Sequence, residues 1–245
     1  MTAVIQPTND AHYRGMYVVP AHFFNPLNVR AGIDPRVISG GTSLSGEETV
    51  IQMDGGGKWR IEWAGINIDD PGTERLWDMW ISYLAGGSRA VLVPILSLAT
   101  APRPYVGGVE TDPSGLAYDD EAFPTFVRFA SPHIVAHVVS PVALRATTIE
   151  IEVTQGARIR GGEKLSISGN RAHLIERVIS RAEQRATCVI SPPTRTAIPA
   201  GAEVNFEWPV VQCRAEVGQS LIPMMEFGRF SEVSISFVED FSDAD

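Results

Sequence analysis

The chain has 245 residues, 20 basic against 29 acidic side chains and a net charge of −9, which allows one large domain or two small ones. A hydrophobic content of 44% with 20% charged residues excludes a wholly disordered chain. An acidic balance without a lysine- or arginine-rich block argues against a dedicated nucleic-acid binder, because phosphate neutralisation needs local positive charge.

Residues 1–20 hold Pro7, Asp10 and Pro20 and no basic stretch followed by an apolar one, so no secretory signal is expected and synthesis in a reducing cytoplasm is. The segment 48–53 is followed by Asp54-Gly55-Gly56-Gly57 and then by Lys58-Trp59-Arg60-Ile61-Glu62-Trp63. Trp59, Ile61 and Trp63 alternate with polar residues, the period of a strand with one buried face. The glycine run between the two segments reads as a hairpin turn. A phosphate-cradling loop would need a Gly-Lys-Ser/Thr ending and a following helix, and has neither.

One helix is predicted. Asp69-Asp70-Pro71 supplies an acidic start, a capping side chain and proline in the first turn. Leu76, Trp77, Trp80 and Leu84 follow at helical spacing, and Gly86-Gly87 ends it. Two tryptophans on one stripe suit either a sugar-stacking platform or, more simply, a helix pinned by its apolar face to a sheet. Ala90-Val91-Leu92-Val93 then reads as a central strand. The apolar run 90–101 is interrupted by Pro94 and is shorter than the ~20 residues of a membrane span, so no membrane insertion is expected.

Residues 101–125 carry Pro102, Pro104, Gly107, Gly108, Pro113, Gly115 and Pro124 and read as a long loop. Its acidic cluster, Asp119-Asp120-Glu121, lacks the spacing of a calcium loop and reads as a solvated turn. Next comes His133-x-x-x-His137 in a β-rich stretch bracketed by Pro132 and Pro141. Four residues apart on a strand is roughly 13 Å, too far to share an ion.

Strands become regular from residue 147. Ile149, Ile151 and Val153 alternate, and further strands are predicted at 164–167, 174–175, 186–190 and 204–208, separated by Gly156, Gly161-Gly162, Gly169 and Pro192-Pro193. Such short strands suit a small OB-like barrel. A last strand, 232–238, puts Val233, Ile235 and Phe237 on one face, and Phe237 and Trp63 are expected in one core. Cys188 and Cys213 read as two buried thiols rather than a disulfide. No Gly-x-Ser-x-Gly elbow is present, and Cys188 sits within a strand. The residues point to no catalytic, cofactor-binding or metal site, and to no cofactor; a non-enzyme is the favoured reading.

Several stretches together resemble the distal tail proteins of long-tailed bacteriophages and of phage-derived gene transfer particles. They are Trp59–Trp63, the Leu76–Leu84 helix with Gly86-Gly87, the strand Ala90–Pro94, and the hairpin Gly162-Glu163-Lys164-Leu165-Ser166-Ile167-Ser168-Gly169. The most specific is Ile190-Ser191-Pro192-Pro193-Thr194-Arg195, leading through Pro199 and Gly201 to Trp208-Pro209 and a closing strand at Phe237-Val238-Glu239. Thr194, where an apolar residue is common, and the long 101–124 loop depart from the pattern. The resemblance implies a mainly β fold: a β-sandwich with one packed helix, formed by residues 1–146 and 212–245, and an inserted β-barrel at 147–211. It also implies a structural virion protein at the tail tip, assembled in the host cytoplasm. Such a protein forms a homo-oligomeric ring, usually of six, that joins the tail tube protein to the baseplate hub protein and lets DNA pass through its lumen. The alternatives are a receptor-binding adhesin with a carbohydrate-binding barrel, and a cell-wall hydrolase.

Overall fold

The computed structural model describes residues 12–13, 16–35, 37–52, 56–106, 109–110, 134–224 and 231–242. In chain order the elements are β1 (His12–Tyr13), β2 (Met16–Tyr17), a short helix α1 (Ala21–Phe24), β3 (Asn28–Asp34), β4 (Val37–Thr42), β5 (Glu48–Gln52), β6 (Lys58–Ile68), the helix α2 (Pro71–Leu84) and β7 (Val91–Pro94). Then come β8 (Tyr105–Val106), β9 (Val109–Glu110), β10 (Val135–Val138), β11 (Thr148–Gln155), β12 (Lys164–Ile167), β13 (Arg171–Ala182), β14 (Arg185–Ser191), β15 (Glu203–Asn205), β16 (Val210–Ala215) and β17 (Ser231–Glu239). The fold is mainly β, with one packed helix and one small closed barrel.

The larger body is a five-stranded antiparallel sheet in the order β3-β6-β17-β16-β7. Trp59, Ile61 and Trp63 are fully buried on one face, as their alternation predicts. The phase then flips. Gly65, at φ +70°, forms a bulge opposite the Val233–Ile235 step, and Ile66 and Ile68 become the buried residues. A Cβ at Gly65 would stand 2.8 Å from that of Leu27. β17 lies at the centre of the sheet, and Phe237 meets Trp63 edge to face with ring centroids 5.8 Å apart. These two residues, 174 positions apart, share one core as expected.

Helix α2 covers the same core with Leu76, Trp77, Trp80 and Leu84. Asp70 caps it, accepting from Gly72 N at 2.7 Å and Thr73 N at 3.2 Å, and the Thr73 hydroxyl bond holds its carboxyl below the usual range. Ala85, Gly86 and Gly87, all at positive φ, end it. Both tryptophans are buried, which answers the choice between a sugar platform and a pinned helix in favour of packing. Trp77 Nε1 donates to Leu221 O at 2.9 Å.

Three expectations about the sheet and its loops are corrected. The segment 48–52 does not pair with β6 across the glycine run; β5 pairs with β4, and β6 pairs with β3 and β17. Alternation marks a strand but carries no information about its partner. β7 is buried along its whole length, yet it is an edge strand by sheet order. The N-terminal segment covers its edge through the Val18–Leu92 bridge and the Val19 N to Leu92 O bond of 2.8 Å. Within the long loop, β8 and β9 form a short hairpin, and Ala157 N donates to Arg103 O at 2.7 Å. Asp119, Asp120, Glu121, His133 and Gly55 lie outside the described residues.

The barrel closes in the order β10-β11-β14-β13-β12-β15, with every pair antiparallel. It has six strands, one more than the five of an OB-like barrel. The extra closure comes from β10, which pairs with both β11 and β15. The barrel's strands therefore run from Val135 to Asn205, whereas the 147–211 reading leaves out β10 and takes in Val210 and Val211, which belong to the sheet. The chain leaves the sheet at β7 and re-enters beside it at β16, where Val211 faces Val93 and Ile95 N bonds Pro209 O at 3.0 Å. A fragment of residues 134–207 is expected to fold alone, with dispersed amide proton resonances. A 147–211 fragment, lacking β10 and exposing two sheet residues, is expected to give the narrow dispersion of an unfolded chain.

Candidate functional site

The polar seam between sheet and barrel and the hairpin β4–β5 that stands off the sheet are two places among the described residues that could carry function.

The seam is built by the Ser191–Arg195 passage. The Ser191–Pro192 peptide is cis, and Pro193 packs on Gly56, where a Cβ would stand 2.4 Å from the proline ring. Thr194 is buried; its hydroxyl donates to Ala143 O at 2.6 Å and accepts from Ala146 N at 2.9 Å, tying down the turn before β11. That is what a polar residue does at this position. Arg195 donates to Glu239 Oε1 at 3.2 Å and to Gly57 O at 2.6 Å, and its guanidinium lies 4.5 Å from the Phe241 ring centroid. Glu239 is 1% exposed and also accepts from Trp59 N at 2.9 Å. Gly56 and Gly57 thus serve as packing surface and acceptor for the barrel. Trp59 Nε1 donates to Ala172 O at 2.7 Å, Lys164 Nζ to Ala31 O at 2.8 Å, and Arg171 to Asp240 O at 2.6 Å. Each of these bonds joins barrel to sheet or to the tail after β17.

His173 lies fully buried in this seam, with Nδ1 donating to Pro192 O at 2.7 Å and Nε2 without a partner. Burial pushes it down to about 4, and the nearby Arg195 and Arg171 act in the same direction. An unfolded histidine titrates near 6.5. Between those values the unfolded chain holds the proton and the folded chain does not, so stability is complete above about pH 6.5 and falls as pH drops towards 4. Urea titrations at pH 7 and 5 should show a loss of about 2 kcal/mol that is absent from His173→Gln. An equal loss in both proteins would remove His173 as its source.

The other residues singled out in sequence do not converge. His137, on β10, bonds Glu152 Oε2 at 3.1 Å, and Arg185 bonds Oε1 of the same carboxylate at 3.2 Å. The Arg185 bond holds Glu152 below its ordinary value. Cys188 is in the barrel core and Cys213 in the sheet core; both are unpaired, and burial pushes the Cys188 thiol up to about 12 and Cys213 upward too. Among the described residues, no three His, Cys, Asp or Glu side chains gather as they would around a metal ion. Among them also, no helix is long and apolar enough to cross a membrane.

The hairpin β4–β5 is of a different kind. Val37, Ile38, Val50 and Ile51 are each more than half exposed, and Leu44 at its turn is fully exposed. Ile38 faces Ile51 and Ser39 faces Val50, so apolar side chains emerge from both faces. Ser43 and Gly46 close the turn, with Ser43 N donating to Glu47 O at 2.8 Å. A two-stranded ribbon alone is marginal in water, and each such side chain left there forgoes roughly 1.5–3 kcal/mol of burial. Strand β3, which precedes it in the chain, is an edge of the five-stranded sheet, with Val29 and Arg30 exposed. Sequence reasoning identified neither β3 nor the β4–β5 pairing. Compared with protein-family models and with the curated proteins, the chain matches none.

Proposed function

We propose that this chain is a structural subunit of a phage-type tail tip, a distal tail protein that assembles into a closed ring, most simply of six copies. The observation that carries the reading is the β4–β5 hairpin, whose isoleucines and valines are more than half exposed and find no cover among the described residues. A heterologous contact, in which the hairpin of one copy docks on the next, closes on itself only as a ring. The edge of β3, which no other described strand pairs and where Val29 and Arg30 are exposed, supplies a surface suited to it.

In this reading the sheet body forms the ring and the barrel is carried on it, held by the Arg195–Glu239 seam. The ring joins the tail tube protein to the baseplate hub protein at the virion tail tip, after assembly in the host cytoplasm. Six copies at −9 each make an acidic assembly, and an acidic lumen lets DNA pass without adhering. Electron-microscopic class averages of the purified full chain are expected to show closed rings with an open centre. Averages without a closed ring, together with clearing of peptidoglycan, would move the protein to the cell-wall hydrolases.

A further inference from the structure

The stretch 158–185 holds seven basic and three acidic side chains in a chain whose net charge is −9. Part of that charge serves the seam, through Lys164 and Arg171, and Arg185 is taken by Glu152. Three of the remaining four, Arg160, Arg177 and Arg181, collect elsewhere. Two bulges in β13 leave Glu176 and Ile179 as extra residues opposite β14. Bulges twist a strand and re-aim its side chains, and they recur beside binding sites. At this twisted end of the barrel lies a groove of about 580 Å³, lined by Arg160, Arg177, Arg181, Ser180, Glu176 and Ile179 among others. At a strand rise of about 3.3 Å per residue, Arg177 is about 20 Å along β13 from the seam residue Arg171.

Two of the three arginines are held in place. Arg181 donates to Ile159 O at 2.7 Å, and Arg160 reaches Glu110 at 3.4 Å. Arg177 is exposed and has no partner among the described residues. Planar guanidinium forks bind carboxylate, sulfate and phosphate groups through paired N–H donors. The groove also offers the Glu176 carboxylate as an acceptor and the Ser180 hydroxyl as donor and acceptor, and Ile179 gives it an apolar patch. That mixture matches a ligand with both hydroxyl and anionic groups and apolar ring faces. It suits nucleic acid poorly: none of the lining residues is aromatic, so bases have nothing to stack on, and a duplex needs more phosphate contacts than three arginines make.

We propose that the groove of Arg160, Arg177 and Arg181 on the barrel is a binding site for an acidic oligosaccharide. The site is independent of ring formation. It would place a glycan-binding surface on a protein whose sheet body does the assembling.

The test is titration calorimetry of the full chain with a heparin-derived tetrasaccharide, against neutral chitotetraose and a short single-stranded DNA. Saturable binding of the acidic tetrasaccharide, at one per chain, is expected, weakened about tenfold or more by Arg177→Glu with no change in melting temperature. Binding should persist in the hairpin variant Ile38→Asp/Ile51→Asp, which separates this site from the ring. Three results would overturn the proposal: no binding of the acidic probe, equal binding by Arg177→Glu, or binding of chitotetraose or of the DNA as tight as that of the acidic probe.

Discussion

A chain ending at residue 228 is expected to lose its sheet and keep its barrel. The cut removes β17, the middle strand, and splits β3–β6 from β16–β7. Val233, Ile235 and Phe237 leave the core together, at roughly 1.5–3 kcal/mol each. Against a total stability of about 5–15 kcal/mol, that loss is decisive. The barrel draws its core from its own strands, Ile151, Leu165, Ile175 and Val204 among them, and does not need β17. Limited proteolysis followed by mass spectrometry should leave a resistant fragment near residues 134–207. If the shortened chain melts like the full one, β17 is peripheral and the discontinuous body is misread.

Arg195→Ala should be nearly as damaging, by a different route. Glu239 would remain buried with its charge uncompensated, and breaking a buried pair in this way costs about 3–5 kcal/mol. The backbone oxygen of Gly57 would lose its donor as well. The damage should fall on the seam, so the barrel would come loose from the sheet before either unfolds. Hydrogen exchange should then show lost protection at Gln212, whose amide bonds Asn170 O across the seam, and at Trp59, whose amide bonds the Glu239 carboxylate within the sheet, while β11 and β14 stay protected. Arg195→Ala combined with Glu239→Gln should recover part of the stability, since it removes the stranded charge. No recovery would mean that the seam depends on packing at Phe241 and Pro193 instead.

Much of this fold is legible in local sequence, and the illegible part has a common cause. The cap at Asp70, the Leu76–Leu84 stripe and the strands around Ile149–Val153 and Val233–Phe237 depend on neighbours a few residues away, and they stand where periodicity puts them. Pairing partners are non-local. Nothing near residue 50 says that it pairs with residues 37–42 rather than with β6, and nothing in Ala136 or Val138 says that they complete a barrel. Gly65 hides a phase change that a strict alternation cannot carry. The seam was half visible: the Pro-Pro-Thr-Arg passage stood out, but its partner Glu239 lies 44 residues away. The groove was not visible at all, because Arg160, Arg177 and Arg181 are spaced too widely to read as a basic block until β13 and the Arg160–Gly161 turn bring them together.

Assembly through the β4–β5 hairpin carries the proposed function, and molar mass by light scattering reads it out. Wild-type chain and Ile38→Asp/Ile51→Asp are compared over the same range of concentrations. Both positions are exposed, so the variant should fold, with amide proton dispersion as wide as that of the wild type. The wild type is expected at about 160 kDa, six chains of 26.6 kDa, and the variant as a single 26.6 kDa chain. A wild type that stays monomeric at every concentration, or a variant that assembles as the wild type does, would contradict it.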